Sequence, residues 1–292
     1  MSPDAPILIL GAGGFIGRHV VCAARGGGWS GSVMEGPRWR DHPTSTVFAD
    51  ALARHLDRAE PTVLVNAVGG TTGDLEALNV APLDAILDVW TRRGGVDSLV
   101  QLGSAAEYGV NARPMRESDV AAPVTPYGRV KLRATAHARE LGARSVVLRP
   151  FSVVGAGMSA GTVIGRVGCE LALGAREVWT GRLSAVRDFV AAEDVAEAIL
   201  RAARSVGSDG RACGEIINVG TGRGATVREM VDLVVAGAVP PVIVHEATGA
   251  DPVTRAVAEP VKAEDILGWT SRIGPAAMAA SVVEHRIASA EA

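Results

Sequence analysis

The chain has 292 residues, of which 48% are hydrophobic and 21% are charged, and its net charge is −3 at pH 7. This balance is typical of a globular protein with one large domain and an annex, or with two domains, and it argues against disorder and against nucleic-acid binding. No apolar run approaches the roughly 18–20 residues of a membrane span, the start lacks a signal-peptide pattern, and three cysteines lie far apart, so we expect a cytoplasmic protein.

Strands and helices alternate through the first half of the chain. Short apolar runs predict strands at 7–10, 32–35, 47–49, 62–67, 98–102 and 145–148. Periodicity and capping signals predict helices at about 15–25, 52–59, 75–90 and 126–141. Pro82 divides or kinks the third helix, whereas Thr125 and Pro126 suit the start of the fourth. This alternation predicts an α/β fold with a doubly wound, Rossmann-type parallel sheet.

The pattern changes after Pro150. Glycines and loops dominate to about residue 188, and the tail from residue 241 is less regular. Between them we predict a helix at 192–204, a strand at 215–219 and a helix at 226–236. We therefore predict a dinucleotide-binding domain over residues 1–155, to which 186–222 returns, and a smaller substrate-binding annex over 156–292.

Gly11, Gly14 and Gly17 follow one another at three-residue intervals between the first strand and the first helix. Glycine is needed where the chain turns tightly and where its backbone must approach a pyrophosphate, and the helix N-terminus adds free N–H groups. Chance spacing is the alternative, because the chain contains 35 glycines. The position between strand and helix favours phosphate binding.

The chain contains only two lysines and two tyrosines, and Lys131 follows Tyr127 by four residues on a predicted helix. This spacing places both side chains on one helix face. An ammonium group, together with an oxidised nicotinamide, would favour the phenolate and lower the phenol's pKa, so that Tyr127 could transfer a proton. The alternatives are a half-buried structural tyrosine and a solvated surface lysine.

Six stretches together resemble the extended short-chain dehydrogenase/reductases, in particular the NAD-dependent epimerases, dehydratases and reductases that act on nucleotide sugars. They are the glycine loop at 11–17, L-G-S-A-A-E-Y-G at 102–109, Y-G-R-V-K at 127–131, R-P-F-S-V-V-G at 149–155, R-D-F-V-A-A-E-D-V-A-E-A-I at 187–199 and I-I-N-V-G-T-G at 216–222. The resemblance implies a catalytic triad of Ser104, Tyr127 and Lys131. In it, Ser104 binds the substrate oxygen and Lys131 also holds the cofactor ribose; alternatively, Ser104 caps a turn.

The resemblance also implies a nicotinamide cofactor, NAD or NADP. Glu35 lies where the family places an acidic residue that accepts from the ribose hydroxyls and repels a 2′-phosphate, which favours NAD. Arg38 and Arg40 follow closely and would instead attract that phosphate. The further cofactor contacts implied are Phe15, Ile16, Ala67 and Asp50; the alternative for Asp50, placed after the predicted third strand, is a helix cap.

Departures from the family pattern bear on the substrate. Dehydratases of this family carry an acid pair where this chain has Ala105 and Ala106, so dehydration is not expected. Arg187 matches a pyrophosphate-binding arginine, with a structural role beside Asp188 as the alternative. Ser152 replaces the usual asparagine, and a second pyrophosphate arginine, expected before the G-x-D near the C-terminus, is missing, since that stretch reads A-T-G-A-D at 247–251.

We therefore predict an NAD(P)-dependent oxidoreductase or epimerase that acts on a hydroxyl or keto carbon of a nucleotide-activated sugar. The E-Y-G at 107–109 resembles the 4-ketoreductases of deoxysugar pathways, and the resemblance implies a homodimer through core helices. No metal site is expected from the scattered histidines. The alternatives are a ketoreductase for a non-sugar metabolite and a non-catalytic dinucleotide sensor.

Overall fold

A six-stranded parallel sheet forms the centre of the protein in the computed structural model, which describes residues 4–42, 44–93, 97–207, 210–249 and 254–290. The elements of the first half are β1 (Ile7–Leu10), α1 (Phe15–Ala23), β2 (Val33–Glu35), α2 (Ser45–Ala59), β3 (Val63–Asn66), α3 (Leu75–Asn79), α4 (Ala81–Arg93), β4 (Ser98–Leu102), α5 (Pro126–Arg139) and β5 (Ser145–Pro150). Those of the second half are β6 (Ser152–Val154), α6 (Val163–Ala172), β7 (Glu177–Thr180), β8 (Val186–Ala191), α7 (Ala192–Gly207), β9 (Ile216–Val219), β10 (Gly224–Thr226), α8 (Val227–Val235), β11 (Ile243–Glu246), β12 (Arg255–Ala256), α9 (Val261–Leu267) and α10 (Pro275–Ala290).

The central sheet has the strand order β2-β1-β3-β4-β5-β9, which confirms the α/β, Rossmann-type fold. Strand β1 is buried on both faces: Ile7 and Ile9 pack with α1 and α7, whereas Leu8 and Leu10 pack with α2 and α4. The chain order reverses between β1 and β3. In open α/β sheets ligands bind at the carboxyl ends of the strands beside such a reversal.

The predicted strand at 47–49 is wrong, because these residues lie in the first turn of α2. The Thr44 side chain accepts a hydrogen bond from the Val47 N–H and caps this helix. Phe48, Leu52 and Leu56 recur every four residues and bury one helix face against α4. A three-residue apolar run is too short to distinguish a strand from the start of a helix. The Thr44 cap and the four-residue spacing of the buried side chains indicate the helix.

The annex is more regular than predicted, because helices α6 and α10 occupy stretches that we predicted as loop and irregular tail. Two glycines weaken the helix signal of α6, yet they allow close packing: a Cβ at Gly168 would lie 2.6 Å from Cγ1 of Val282 on α10. The predicted return to the core is divided, since β9 lies in the central sheet and β8 lies in a second sheet with β6, β10 and β12. No described helix combines the length and apolarity needed to span a bilayer.

Candidate active site

The glycine loop after β1 is shaped by close backbone contacts. Gly11 has φ +76°, and a Cβ there would lie 2.6 Å from the carbonyl oxygen of Ala67, which follows β3. A Cβ at Gly17 would lie 2.0 Å from the Gly11 carbonyl oxygen. Gly14 caps α1 without a side-chain hydrogen bond. The N–H groups in the first turn of α1, which holds Phe15 and Ile16, are therefore left for an anion such as a pyrophosphate.

The structure brings Ser104, Tyr127 and Lys131 together at the carboxyl end of β4. The Ser104 side chain lies beside the Tyr127 phenol and lowers its pKa. The Lys131 ammonium is only 3% exposed and donates to the Leu102 carbonyl oxygen at 2.5 Å. The alternative of a solvated surface lysine is therefore wrong. The Ser104 Oγ also accepts from the Ala106 N–H at 3.1 Å, so this serine does cap a turn as well.

Burial shifts both titratable groups of this cluster toward their neutral forms. Burial raises the pKa of the Tyr127 phenol. The Ser104 side chain opposes that shift, whereas the negative charge of Glu107 adds to it. Burial lowers the pKa of Lys131 to about 8, although Glu107 opposes that shift. The lowered pKa that we expect for the phenol applies with an oxidised nicotinamide bound, and it stays a prediction. It would come from the positive charges of the oxidised ring and of the Lys131 ammonium.

We expect Lys131 to titrate near pH 8 in the cofactor-free protein. The lysine is less easily protonated in the folded state than in the unfolded state. Its burial therefore lowers the free energy of unfolding below about pH 8, where both states are protonated, and this loss decreases as the pH rises from about 8 toward 10.5. The measurement is the pH dependence of the lysine 13Cε shifts by NMR, with Lys262→Arg to assign the second signal. A Lys131 midpoint above pH 10 would contradict the burial effect.

A buried ionic network adjoins this cluster, and our interpretation of the sequence missed it. The Glu107 carboxylate is fully buried and is hydrogen-bonded to the Ser104 N–H, the Thr135 hydroxyl and the Arg149 guanidinium. One local signal was available: Ser104 and Glu107 have the S-x-x-E spacing of a capping box, which the structure forms. Arg149 and Thr135 lie too far away along the chain for such a signal.

Comparison with known proteins identifies the family. The model of the NAD dependent epimerase/dehydratase family matches residues 7–220. The chain belongs to this family. It is 32% identical to the dTDP-6-deoxy-L-talose 4-dehydrogenase (NAD(P)(+)) of Kitasatospora kifunensis over 93% of this chain and 92% of that protein. It is 28% identical to the UDP-glucose 4-epimerase of Azospirillum brasilense, with 91% and 87% covered.

A solved structure of RMD from Pseudomonas aeruginosa, complexed with NADPH, has the same fold. Its TM-score is 0.83, with 98% of this chain and 100% of that chain covered. The sequence identity is 21%, so this likeness concerns the fold alone. The family match and the shared fold both agree with the sequence motifs, which resemble those of the epimerase/dehydratase family.

The acidic residue at the end of β2 is paired with a cation, which the sequence did not reveal. The carboxylate of Glu35 lies 3.0 Å from the Arg25 guanidinium, just beyond the end of α1. Both side chains are about half exposed, and Arg38 and Arg40 are exposed nearby in sequence. In this epimerase/dehydratase fold, Arg25 therefore offsets part of the negative charge by which Glu35 would repel a 2′-phosphate.

Asp50 does not follow a strand and does not cap a helix, so both premises of our prediction for it are wrong. It is exposed within α2, six residues after the cap at Thr44. The strand predicted at 47–49 is replaced by this helix, and β2 forms the edge of the central sheet. The predicted cofactor contact of Asp50 thus loses the structural basis on which it was predicted.

The predicted substrate residues lie on the second sheet. Ser152 on β6 pairs with Phe189 on β8, and it is half-buried. The half-buried Arg187 guanidinium donates to the Thr254 carbonyl and hydroxyl oxygens and to the Val186 carbonyl oxygen. These are its hydrogen-bond partners among the described residues, so the structure does not join Arg187 directly to the Ser104 cluster.

Asp188 is on the opposite strand face from Arg187 and has different partners. Its buried carboxylate accepts from the N–H groups of Thr221, Gly222 and Ala258 and from the Thr221 hydroxyl. Arg187 and Asp188 therefore do not pair with each other, but each makes structural hydrogen bonds of its own. The stretch at 247–251 is described only as far as Gly249; Ala250 and Asp251 lie outside the described residues.

Proposed function

We propose that this protein is an NAD(P)-dependent oxidoreductase that acts on a hydroxyl or keto carbon of a nucleotide-activated deoxysugar. The observation that carries the proposal is the placement of three side chains at the carboxyl end of β4, in the same sheet as the glycine loop after β1: Tyr127 lies beside Ser104, and Lys131, one helical turn later, donates to the Leu102 carbonyl oxygen. Membership of the epimerase/dehydratase family supports the same chemistry. The talose 4-dehydrogenase relative supports the sugar class.

The residues present fit a bound dinucleotide, because the backbone at Gly11 and Gly17 leaves no room for a Cβ and α1 begins without a side-chain cap. When bound, the nicotinamide supplies or accepts the hydride. Tyr127 then gives a proton to the substrate oxygen in reduction, or takes it in oxidation. The Ser104 hydroxyl donates a hydrogen bond to the same oxygen and fixes it beside the phenol.

Lys131 supports this transfer electrostatically. Its ammonium lies on the same face of α5 as Tyr127, and its positive charge favours the phenolate that forms when the proton leaves. In the proposed complex it also holds the cofactor ribose. Lysine suits both tasks better than arginine, because its compact charge does not require planar, two-point binding.

The choice between NAD and NADP depends on the charged residues at and near the end of β2. Glu35 favours NAD, but its pairing with Arg25 weakens the repulsion of a 2′-phosphate, and Arg38 lies three residues further on. We therefore propose that the protein accepts both NAD and NADP, with a preference for NAD. The predicted contacts of Phe15, Ile16, Ala67, Ser152 and Arg187 with cofactor or substrate remain predictions, as does the homodimer.

Epimerisation is the second candidate, since UDP-glucose 4-epimerases are among the relatives. An epimerase uses the same proton-transfer group, but it retains the keto intermediate and returns the hydride to the other face. The alanines at 105 and 106 leave no acid pair beside Ser104, so dehydration is not proposed. Net consumption of NADH or NADPH by a keto sugar nucleotide would distinguish the oxidoreductase from the epimerase.

A thermal-shift screen tests the cofactor and the substrate class together. We expect NADH and NADPH to raise the melting temperature, and at least one of UDP, GDP and dTDP to do so as well, because a ligand at 100 times its Kd stabilises the folded state by about 2.7 kcal/mol. AMP serves as the control for weak nucleotide binding. A shift with a dinucleotide but with no nucleoside diphosphate would favour a non-sugar substrate, and no shift with either dinucleotide would reject the cofactor assignment.

A further inference from the structure

A buried carboxylate joins the loop that holds Ser104 to the helix that holds Tyr127 and Lys131. Glu107 Oε1 accepts from the Ser104 backbone N–H at 2.8 Å and from the Thr135 hydroxyl at 3.0 Å. Thr135 lies one helical turn after Lys131 on the same face of α5. One oxygen of Glu107 therefore ties the serine of the cluster to the helix that carries the tyrosine and the lysine.

The second carboxylate oxygen is held by a buried cation. The Nε and an Nη of Arg149 on β5 both lie 2.8 Å from Glu107 Oε2, and the Arg149 side chain is 3% exposed. The Arg149 guanidinium also lies 4.5 Å from the centre of the Tyr108 ring. With every donor in place, Glu107 has little freedom to move, which is the property that a support for a catalytic serine needs.

The backbone makes room for this arrangement at Gly103. A Cβ at that position would lie 2.6 Å from Glu107 Oε1 and 3.0 Å from a methyl carbon of Val147. A buried ion pair adds little net stability compared with apolar side chains of similar volume, because both charges must lose their water. Fold stability therefore explains the buried Glu107–Arg149 pair poorly. The contacts of Glu107 with Ser104 and Thr135 explain it better.

The charge of Glu107 acts on the same cluster. It opposes the lowering of the Lys131 pKa by burial, and it adds to the raising of the Tyr127 pKa. Burial raises the pKa of Glu107, and the two cations that face it, Arg149 and Lys131, oppose that shift. Glu107 thus favours the ammonium form of Lys131, the form that the proposed mechanism uses.

We propose that Glu107 is a positioning residue, which sets the Ser104 hydroxyl against Tyr127 and keeps the ammonium of Lys131 in the site. This inference rests on the proposed function for the roles of Ser104, Tyr127 and Lys131. Glu107 itself is enclosed by Ser104, Thr135 and Arg149, so it acts through these neighbours and does not touch the substrate.

The experiment compares Glu107→Gln with the cofactor-free wild-type protein by the lysine 13Cε titration. We expect the midpoint of Lys131 to fall by at least about half a pH unit in the variant, since a charge that favours the ammonium is removed. An unchanged midpoint would overturn the proposal. The titration requires no substrate, so it still tests Glu107 if the wild-type enzyme fails to turn over any sugar nucleotide, a result that would reject only the proposed function.

A second pair of variants covers the case in which Glu107→Gln does not fold. Thr135→Val removes the hydroxyl that ties α5 to Glu107, whereas Thr135→Ser keeps it. We expect Thr135→Val to lower kcat by roughly 10-fold with little change in the substrate KM, because an interaction made in the transition state is misaligned. Thr135→Ser should restore most of the loss. Equal kcat values for the two variants would contradict the positioning role.

Discussion

Replacing Tyr127 with phenylalanine is expected to lower turnover by about 10²-fold or more, which corresponds to about 2.7 kcal/mol of transition-state stabilisation. Phenylalanine keeps the ring but removes the hydroxyl that lies beside Ser104 and that would carry the proton. Cofactor affinity should stay nearly intact, because the glycine loop and Lys131 are unchanged. The measurements are kcat with a keto sugar nucleotide and the Kd for NADH by fluorescence titration.

The other tyrosine of the chain provides the matched control. Tyr108 is buried, and its hydroxyl donates to Asn218 Oδ1 at 2.8 Å, so Tyr108→Phe removes a structural hydrogen bond. We expect this variant to lose stability by about 1–3 kcal/mol while its turnover falls far less than that of Tyr127→Phe. Full activity of Tyr127→Phe would refute the proton-transfer role, and bound dinucleotide without any turnover in the wild type would favour a sensor.

Replacing Asp188 with alanine is expected to lower the free energy of unfolding by about 3–5 kcal/mol. The Asp188 side chain is fully buried and accepts four hydrogen bonds, at 2.6–3.1 Å, from Thr221, Gly222 and Ala258. It joins β8 to the turn after β9 and to the segment before α9. Alanine would leave those donors without their acceptor in the interior. The measurement is unfolding in urea, followed by circular dichroism.

Asp265→Ala is the control for this stability prediction. The Asp265 side chain is 74% exposed and forms a surface ion pair with Arg211, with an N–O distance of 3.4 Å. Such a pair contributes little, so the change should stay within about 0.5 kcal/mol. Similar losses for the two aspartate variants would show that Asp188 does not connect these segments in the way its contacts indicate.

Local patterns predicted the elements that carry the site. Thr125 caps α5 by accepting from the Gly128 N–H at 3.0 Å, as its place before Pro126 indicated. The four-residue spacing of Tyr127 and Lys131 required only that this stretch be helical. The glycine intervals likewise described a turn in which Gly17 approaches the backbone of Gly11, six residues earlier. These features depend on residues that are close along the chain, whereas the close approach of Ala67 to Gly11 depends on the neighbouring strand β3.

The prediction failed where the local signal was short or divided. The apolar run at 47–49 has the composition of a strand, but it begins an amphipathic helix whose buried face continues to Leu56. The error also removed the strand on which the role of Asp50 depended. Helix α6 was missed because its two glycines weaken helix propensity, although one of them, Gly168, allows close packing against α10.

The sequence by itself determined the fold class, the glycine loop and the pairing of phenol and ammonium on one helix face, because periodicity, capping and backbone freedom act over a few residues. Only the tertiary structure placed Glu107 between Ser104, Thr135 and Arg149, and Arg25 against Glu35. Glu107 and Arg149 are 42 positions apart. Hydrogen bonds and charge effects depend on distance in space, and the packing of the sheet and its helices sets that distance.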